Sequence, residues 1–195
     1  MQVNAIEAAV AAGMQKFILD LRGNGGGDNR VGVRLYNAMG LTSVQGGGSV
    51  TRRISDIFIN STGWWYWHLN IPRIFGADYI FAGRDAPGVG NPNNVFVSVL
   101  TDNETYSSAM HIASWVQGGG FGNIIGEPSR NAPNSFGDMR FISLPHSGLI
   151  FPISTTYFTD GDVNVSVGRD VLWPDIPVNA ADAFDVAMEY LRSLP

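Results

Sequence analysis

Short unbroken apolar runs alternate along the chain with stretches in which apolar residues recur every three or four positions, and glycine-rich polar turns separate the two. Asn4 to Ala12 is alanine-rich with Ile6 and Val10 four apart, which predicts a helix that Gly13 ends. Lys16 to Leu21, Lys-Phe-Ile-Leu-Asp-Leu, has the pattern of a buried strand. Arg22-Gly23-Asn24-Gly25-Gly26-Gly27 follows it and cannot be regular structure: glycines permit positive φ and let backbone amides face a ligand with no Cβ in the way. Asp28 or Asn29 would then cap a helix over Arg30 to Met39. The same order recurs further on. Val95 to Leu100 reads as a second buried strand, Thr101 to Tyr106 as a polar turn, and Ser107 to Gln117 as a helix with Ala109, Ile112, Ala113 and Val116 on one stripe. Gly118-Gly119-Gly120 stops that helix, and Asn123 to Pro128 is a short strand leading into a polar loop over Ser129 to Asp138. Phe141 to Leu144, Leu149 to Phe158 and Val163 to Val167 read as strands, and Ala180 to Leu194 as an amphipathic helix. Gly46 to Gly90 carries no clear period. Two strand–turn–helix units with short strands between them predict a mixed α/β fold.

Composition narrows the chemistry. At 195 residues and 45% hydrophobic, the chain fits one domain with a proper core. A net charge of −5, with Arg52-Arg53 as the one basic pair, argues against a nucleic-acid partner, which would need a concentrated basic face. The absence of cysteine removes disulfides, thiolate metal sites and cysteine nucleophiles together. Eleven of the 12 basic residues are arginine, so a catalytic lysine must be Lys16 or lie outside this chain. The first twenty residues lack the basic start and apolar run of a signal peptide, and no apolar stretch approaches the ~20 residues of a membrane span.

A serine placed between a strand-ending turn and a helix sits at the positive end of the helix dipole, with its oxygen outward and the next N–H available to a developing oxyanion. Ser107 and Ser108 both meet that description, and both also suit the plainer role of an N-cap and its neighbour. The glycine turn after Leu21 lacks the spacing of a dinucleotide or nucleotide site, because no Gly-x-Gly-x-x-Gly opens the helix and no Gly-Lys-Thr follows. It suits an oxyanion hole, which draws a second N–H from another strand end, and equally a plain tight turn.

Four ordered segments carry a resemblance. Phe17-Ile18-Leu19-Asp20-Leu21-Arg22-Gly23-Asn24-Gly25-Gly26-Gly27 resembles the Asp-Leu-Arg-x-Asn-x-Gly-Gly signature of the C-terminal-processing, or tail-specific, serine peptidases. Thr105-Tyr106-Ser107-Ser108-Ala109 resembles their nucleophile turn, Gly126-Glu127-Pro128 the motif after the nucleophile helix, and Pro174-Asp175-Ile176-Pro177-Val178 the late Pro-Asp-x-x-Val. The 19 residues from Ser107 to Gly126 fit Ser107 as nucleophile without a gap, whereas Ser108 needs a one-residue shift. The resemblance implies a ClpP/crotonase-like α/β core, an acyl-enzyme on Ser107, an oxyanion hole from the N–H groups of Gly26 and Ser108, and no metal or cofactor. It further implies a polypeptide substrate, hydrolysed near the C-termini of unfolded or tagged proteins in the periplasm, at the envelope or outside the cell.

The departures bear on the general base. Where the best-known branch carries its lysine, 25 residues after Ser107, this chain has Ala132. Lys16 enters the strand whose exit forms the glycine turn, so a serine–lysine dyad within the chain is excluded. Other branches resemble the tricorn type, whose base is a histidine upstream of the Asp-Leu-Arg strand; no such segment precedes it here. The expected base is therefore a histidine from an N-terminal segment of a longer protein, with residues 1–195 as its catalytic core. His111, one helical turn after Ser107, is the internal alternative, although a half-buried helix position is the plainer reading. His68 and His146 read as an aromatic-cluster member and a turn residue, and the three histidines have no metal-ligand spacing. Asp102, Glu104, Glu127 and Asp138 would orient a base or sit in solvated turns; Glu127 and Ser135, in the loop that replaces the lysine loop, are the auxiliary candidates. The 81 positions from Gly26 to Ser107 are more than such a core needs, so residues 55–85 read as an insertion. Its Trp64-Trp65-Tyr66-Trp67 cluster is either a small aromatic core or a surface for apolar substrate. Two functions from different classes follow: a serine peptidase, or a non-catalytic module that binds polypeptide tails on the same fold. A third, another crotonase-type acyl transfer, lacks any CoA-binding loop.

Overall fold

The computed structural model describes residues 3–42, 48–56, 58, 79–84, 89–160 and 171–195. They fall into two compact units, one of Met1–Gly47, Asp85–Pro133 and Asp160–Pro195, the other of Gly48–Arg84 and Asn134–Thr159. The elements in chain order are α1 (Val3–Ala11), β1 (Lys16–Asp20), α2 (Arg30–Ala38), β2 (Gly48–Arg53), β3 (Tyr79–Arg84), β4 (Phe96–Thr101), α3 (Ser108–Gly119), β5 (Gly122–Gly126), β6 (Ser135–Ser143), β7 (Ile150–Asp160), β8 (Ile176–Pro177) and α4 (Ala183–Ser193). The mixed α/β class expected from the strand–turn–helix pattern is the class observed.

The first unit is a parallel sheet in the order β1-β4-β5-β8. Both its faces are covered, which is why β1 and β4 read as apolar runs rather than alternating ones. Side chains still alternate between the two faces. Leu19, Val97, Val99 and Ile124 join a core with Leu35 and Tyr36 of α2, Met39 just after it, and Met110, Ala113 and Val116 of α3. Leu100 and Ile125 face the other way, against Ala183 and Ala187 of α4. Helix α3 is buried along almost its whole length, and it ends on Gly120 in the left-handed region, φ 64°, the usual way a glycine closes a helix.

Close packing fixes two glycines. Gly32 lets α2 approach α3, since a Cβ there would collide with the Ile112 side chain. Four residues on, Tyr36 donates its hydroxyl hydrogen to the Ile112 carbonyl at 2.8 Å in full burial, and that burial pushes its phenol up, so it stays a neutral donor. Gly122 faces Val97 across the β4–β5 ladder, and a Cβ there would run into the Val97 carbonyl oxygen.

The second unit is an antiparallel sheet in the order β3-β2-β7-β6. It corrects two expectations. The region over Gly46 to Gly90 that showed no period contains β2 and β3, paired along their whole length. The expected polar loop of Ser129 to Asp138 already becomes strand at Ser135, because β6 pairs with β7 from Ser135–Phe158 onward. Asp138 hid this. Its φ of 54° interrupts the alternation of exposed and covered positions, so the strand has no single phase to read. Asp138 also receives Arg52 and Arg140, at 3.4 and 3.1 Å, and both guanidiniums lie over the Phe58 ring. Arg52, half of the one basic pair, is thus committed to an internal carboxylate. The expected strand over Val163 to Val167, and Trp64 to Trp67 with most of the expected 55–85 insertion, lie outside the described residues. Among the described residues no helix is long and apolar enough to cross a membrane.

Gly122→Ala is expected to lower stability by roughly 1–3 kcal/mol, the range for forcing extra volume into a packed site. Thermal or urea unfolding of the variant checks this.

Candidate active site

Three strands of the parallel sheet end in a row. Asp20 is level with Leu100 in the β1–β4 ladder and Thr101 with Gly126 in the β4–β5 ladder, so the segments after β1, β4 and β5 leave the sheet side by side. Ligand sites of open parallel sheets form at such carboxyl ends.

The three segments are tied by specific hydrogen bonds. Asp102 accepts the N–H of Gly23 at 2.9 Å and those of Glu104 and Thr105 at 3.0 and 2.9 Å, so one carboxylate joins the glycine turn to the turn after β4. The buried Thr105 hydroxyl donates to the Leu21 carbonyl at 2.9 Å and accepts the Asp102 N–H at 3.0 Å. Tyr106 N–H donates to the Asn24 carbonyl at 3.0 Å. From the other side, Arg130 N–H donates to the Thr105 carbonyl at 2.9 Å, and Ser107 N–H donates to Asn131 Oδ1 at 2.7 Å.

Ser107 stands at the centre of this frame, half-buried, immediately before α3. Its backbone lies at φ 55°, ψ −123°. The described non-glycine residues with positive φ are Asn94, Ser107 and Asp138; Asn and Asp tolerate that region, whereas a serine held there is strained. A strained serine at a strand-to-helix turn is the geometry that thrusts a hydroxyl outward as a nucleophile. Ser107 Oγ has no hydrogen-bond partner among the described residues. Ser108 differs: its side chain is buried and its hydroxyl donates to the Gly27 carbonyl at 2.6 Å. That bond holds the glycine turn against the serine turn.

Gly26 completes the contact. At φ 94°, a Cβ on it would lie 2.7 Å from the Tyr106 carbonyl oxygen, 2.8 Å from Ser107 Cβ and 2.9 Å from Ser108 N. Only glycine can pass so close to the serine turn. Its N–H donates to Asn24 Oδ1 at 2.9 Å, whereas Ser108 N–H is one of the first-turn donors that an α-helix leaves without an internal acceptor.

The family model for peptidase family S41 matches residues 2–177. The chain belongs to peptidase family S41. Solved structures share its fold at low identity. The photosystem II D1 C-terminal processing protease is 17% identical at a TM-score of 0.52, over 91% of this chain and 38% of that one. A lipoprotein from Streptococcus agalactiae is 12% identical at 0.52, over 99% and 62%, and mature CPAF is 13% identical at 0.54, over 97% and 45%. The chain thus spans between 38% and 62% of the lengths of these three relatives. No curated protein matches the sequence.

Two of the motif segments meet at one residue, Ala180. Arg22, of Asp-Leu-Arg, pairs with Asp20 and also reaches the Ala180 carbonyl through Nη1; Glu127, of Gly-Glu-Pro, accepts the Ala180 N–H at 3.1 Å. Asp175, of Pro-Asp-x-x-Val, accepts the Ile124 N–H at 2.7 Å and the Gln117 amide at 3.1 Å, which locks β5 to the end of α3. Glu127 is therefore engaged in holding the segment before α4. Lys16 lies at the far end of β1, its Nζ donating to the Leu194 carbonyl at 2.7 Å. His111 sits half-buried in the first turn of α3, its backbone N–H donating to the Ser107 carbonyl at 3.0 Å. Ser135 opens β6 in the second unit, where His146 also lies, exposed in the β6–β7 turn; His68 is outside the described residues. Glu104 forms an exposed ion pair with Arg130 at 2.9 Å, and Asp138 belongs to the Arg52–Arg140 cluster. Among the described residues no three His, Asp or Glu side chains are grouped to hold a metal. Asn24, Thr105 and Asn131 were not anticipated. The polar composition of the turns was visible, but no spacing rule links Asn131 to a serine 24 positions earlier.

Hydrogen bonds from Arg22 hold the Asp20 carboxyl below its ordinary value of 3.8. A depressed carboxylate adds stability above its unfolded pKa and loses it as pH falls through the folded one. Unfolding midpoints measured as pH falls below 3.8 should drop less for Asp20→Asn than for the wild type.

Proposed function

We propose that this chain carries the nucleophile and oxyanion site of a serine peptidase that hydrolyses peptide bonds of unfolded or tagged polypeptides, with Ser107 as nucleophile. The observation that carries the reading is the strained backbone of Ser107 at the mouth of α3, pressed by a glycine that no other residue could replace. Ser107 Oγ attacks the scissile carbonyl carbon as its proton passes to a base. Negative charge then develops on the carbonyl oxygen, and the N–H of Ser108, supported by the positive end of α3, is positioned to receive it. Gly26 N–H is the second donor. It now bonds Asn24 Oδ1, so substrate binding exchanges that amide oxygen for the substrate's. Collapse of the tetrahedral intermediate breaks the C–N bond, the amine leaves with the proton, and water hydrolyses the Ser107 ester by the same steps reversed.

The base is the part of the reading that reaches beyond the chain. Lys16 is tied to the opposite end of the sheet, and Glu127 to Ala180. A histidine from an N-terminal segment of the full-length protein is the base we propose, with His111 the internal alternative. A tail-binding module on the same fold is the competing reading, and it needs no base.

Fluorophosphonate labelling and cleavage of an unfolded protein distinguish these. The full-length protein should be labelled at Ser107 and cleave; Ser107→Ala should abolish both, while Ser108→Ala leaves measurable activity. Unlabelled wild type that still binds polypeptide tails would establish the binding module instead, and strong turnover by residues 1–195 alone would move the base inside the chain. Gly26→Ala should lower kcat by roughly 100-fold or more, the scale of losing an oxyanion donor. Gly25→Ala, whose added methyl meets nothing within 4 Å, should remain near wild type.

A further inference from the structure

The strain at Ser107 has to be held from outside, because a serine gains nothing locally from positive φ and would relax unless its surroundings over-determine it. The glycine turn restrains it by the contact of Gly26 and by hydrogen bonds to the neighbours of Ser107, Tyr106 N–H to the Asn24 carbonyl and the Ser108 hydroxyl to the Gly27 carbonyl, but by none to Ser107 itself. The segment after β5 restrains it by hydrogen bonds. Ser107 N–H donates to Asn131 Oδ1 at 2.7 Å, and Asn131 is itself anchored: its carbonyl accepts the Ser129 hydroxyl at 2.8 Å, and Ser129 Oγ in turn accepts the Leu172 N–H at 3.0 Å. Its neighbour Arg130 donates N–H to the Thr105 carbonyl at 2.9 Å, so the segment grips the serine turn at two successive points.

The chemistry of the carboxamide fixes its orientation. Asn131 Nδ2 donates to the Ala132 carbonyl at 3.1 Å. Turning the amide over would set an NH2 against the Ser107 N–H and an oxygen against the Ala132 carbonyl, opposing donors to donors and acceptors to acceptors. A carboxamide therefore fits both partners in one orientation and brings no charge beside the nucleophile.

We propose that Asn131 is a positioning residue of the nucleophile: its side-chain oxygen holds the Ser107 N–H and so fixes the backbone from which the Ser107 hydroxyl and Ser108 N–H are presented together. The proposal rests on the peptidase reading and deepens it, since the residue beside Ala132, where the lysine of the resembling branch would stand, takes a structural part instead of a proton-accepting one.

The test uses the full-length protein and three readouts: the rate of fluorophosphonate labelling at Ser107, hydrogen exchange of the Ser107 amide, and the thermal unfolding midpoint. Asn131→Ala should slow labelling roughly 10–100-fold, the scale of a small misplacement of a reacting group, and the Ser107 amide should lose protection while the unfolding midpoint stays close to wild type. Asn131→Leu keeps the volume without the acceptor and should show the same loss even if the alanine variant is destabilised. Asn131→Asp keeps an acceptor for the Ser107 N–H but sets an oxygen against the Ala132 carbonyl and a charge beside the nucleophile, so it should restore protection of the Ser107 amide while recovering only part of the labelling rate. Wild-type labelling by a folded Asn131→Ala or Asn131→Leu overturns the proposal. A wild-type protein that is not labelled at all overturns the peptidase reading, and this proposal with it.

Discussion

The candidate site depends first on register. Parallel pairing sets Asp20 beside Leu100 and Thr101 beside Gly126, and a shift of either ladder would separate the glycine turn, the serine turn and the Asn131 segment by at least the ~3.3 Å rise of one residue. None of the hydrogen bonds among those segments would survive that. Gly122 and Gly126 occupy the two ends of β5, and at each a Cβ would strike a β4 carbonyl oxygen, of Val97 and of Thr101. The glycines thus permit one close alignment of β5 on β4. The site inherits its accuracy from this alignment.

The second constraint is that the frame must hold a strained residue without covering it. Asp102 and Thr105 consume the backbone groups of the turn before Ser107, Ser108 ties down Gly27, and Asn131 takes the Ser107 N–H, so backbone polar groups around the serine are satisfied by named partners. Among the described residues, the Ser107 hydroxyl and the first-turn N–H of Ser108 are left over. The inequality of the two hydroxyls separates Ser107 from Ser108 more sharply than position does, because both sit at the start of one helix and only one has its oxygen engaged by the fold.

Much of the first unit was legible in the sequence because its elements are encoded locally. The apolar runs of β1 and β4, the buried stripe of α3 and its glycine stop, and the terminal helix were read within a few residues of their observed limits. The second unit was largely illegible. In β6 the alternation changes phase at Asp138, and β2 and β3 are made by pairing rather than by any pattern of their own. At the site, the serine, the glycine turn and the motifs were visible, while the partners that hold them were not: Asn131 and Ala180 act through geometry set by the sheet, and Asp102, legible as a candidate to orient a base, instead ties two turns together. Glu127 illustrates the difference. Its place in a motif marked it as important, and the fold uses it as a strut to the Ala180 N–H.

The single lysine decides more than its count suggested. β1 carries Lys16 at its entrance and the Asp20-Leu21-Arg22 segment at its exit, and the four steps of ~3.3 Å from Lys16 to Asp20 put roughly 13 Å between the two ends. The ammonium group also has a fixed acceptor in the Leu194 carbonyl, at 2.7 Å. Reaching Ser107 would require breaking that bond and inverting β1, the edge strand that pairs with β4. On the proposed peptidase reading, the base for Ser107 is therefore a residue other than lysine, reaching the serine at the carboxyl ends of β1, β4 and β5, the side of the sheet away from the Lys16 ammonium.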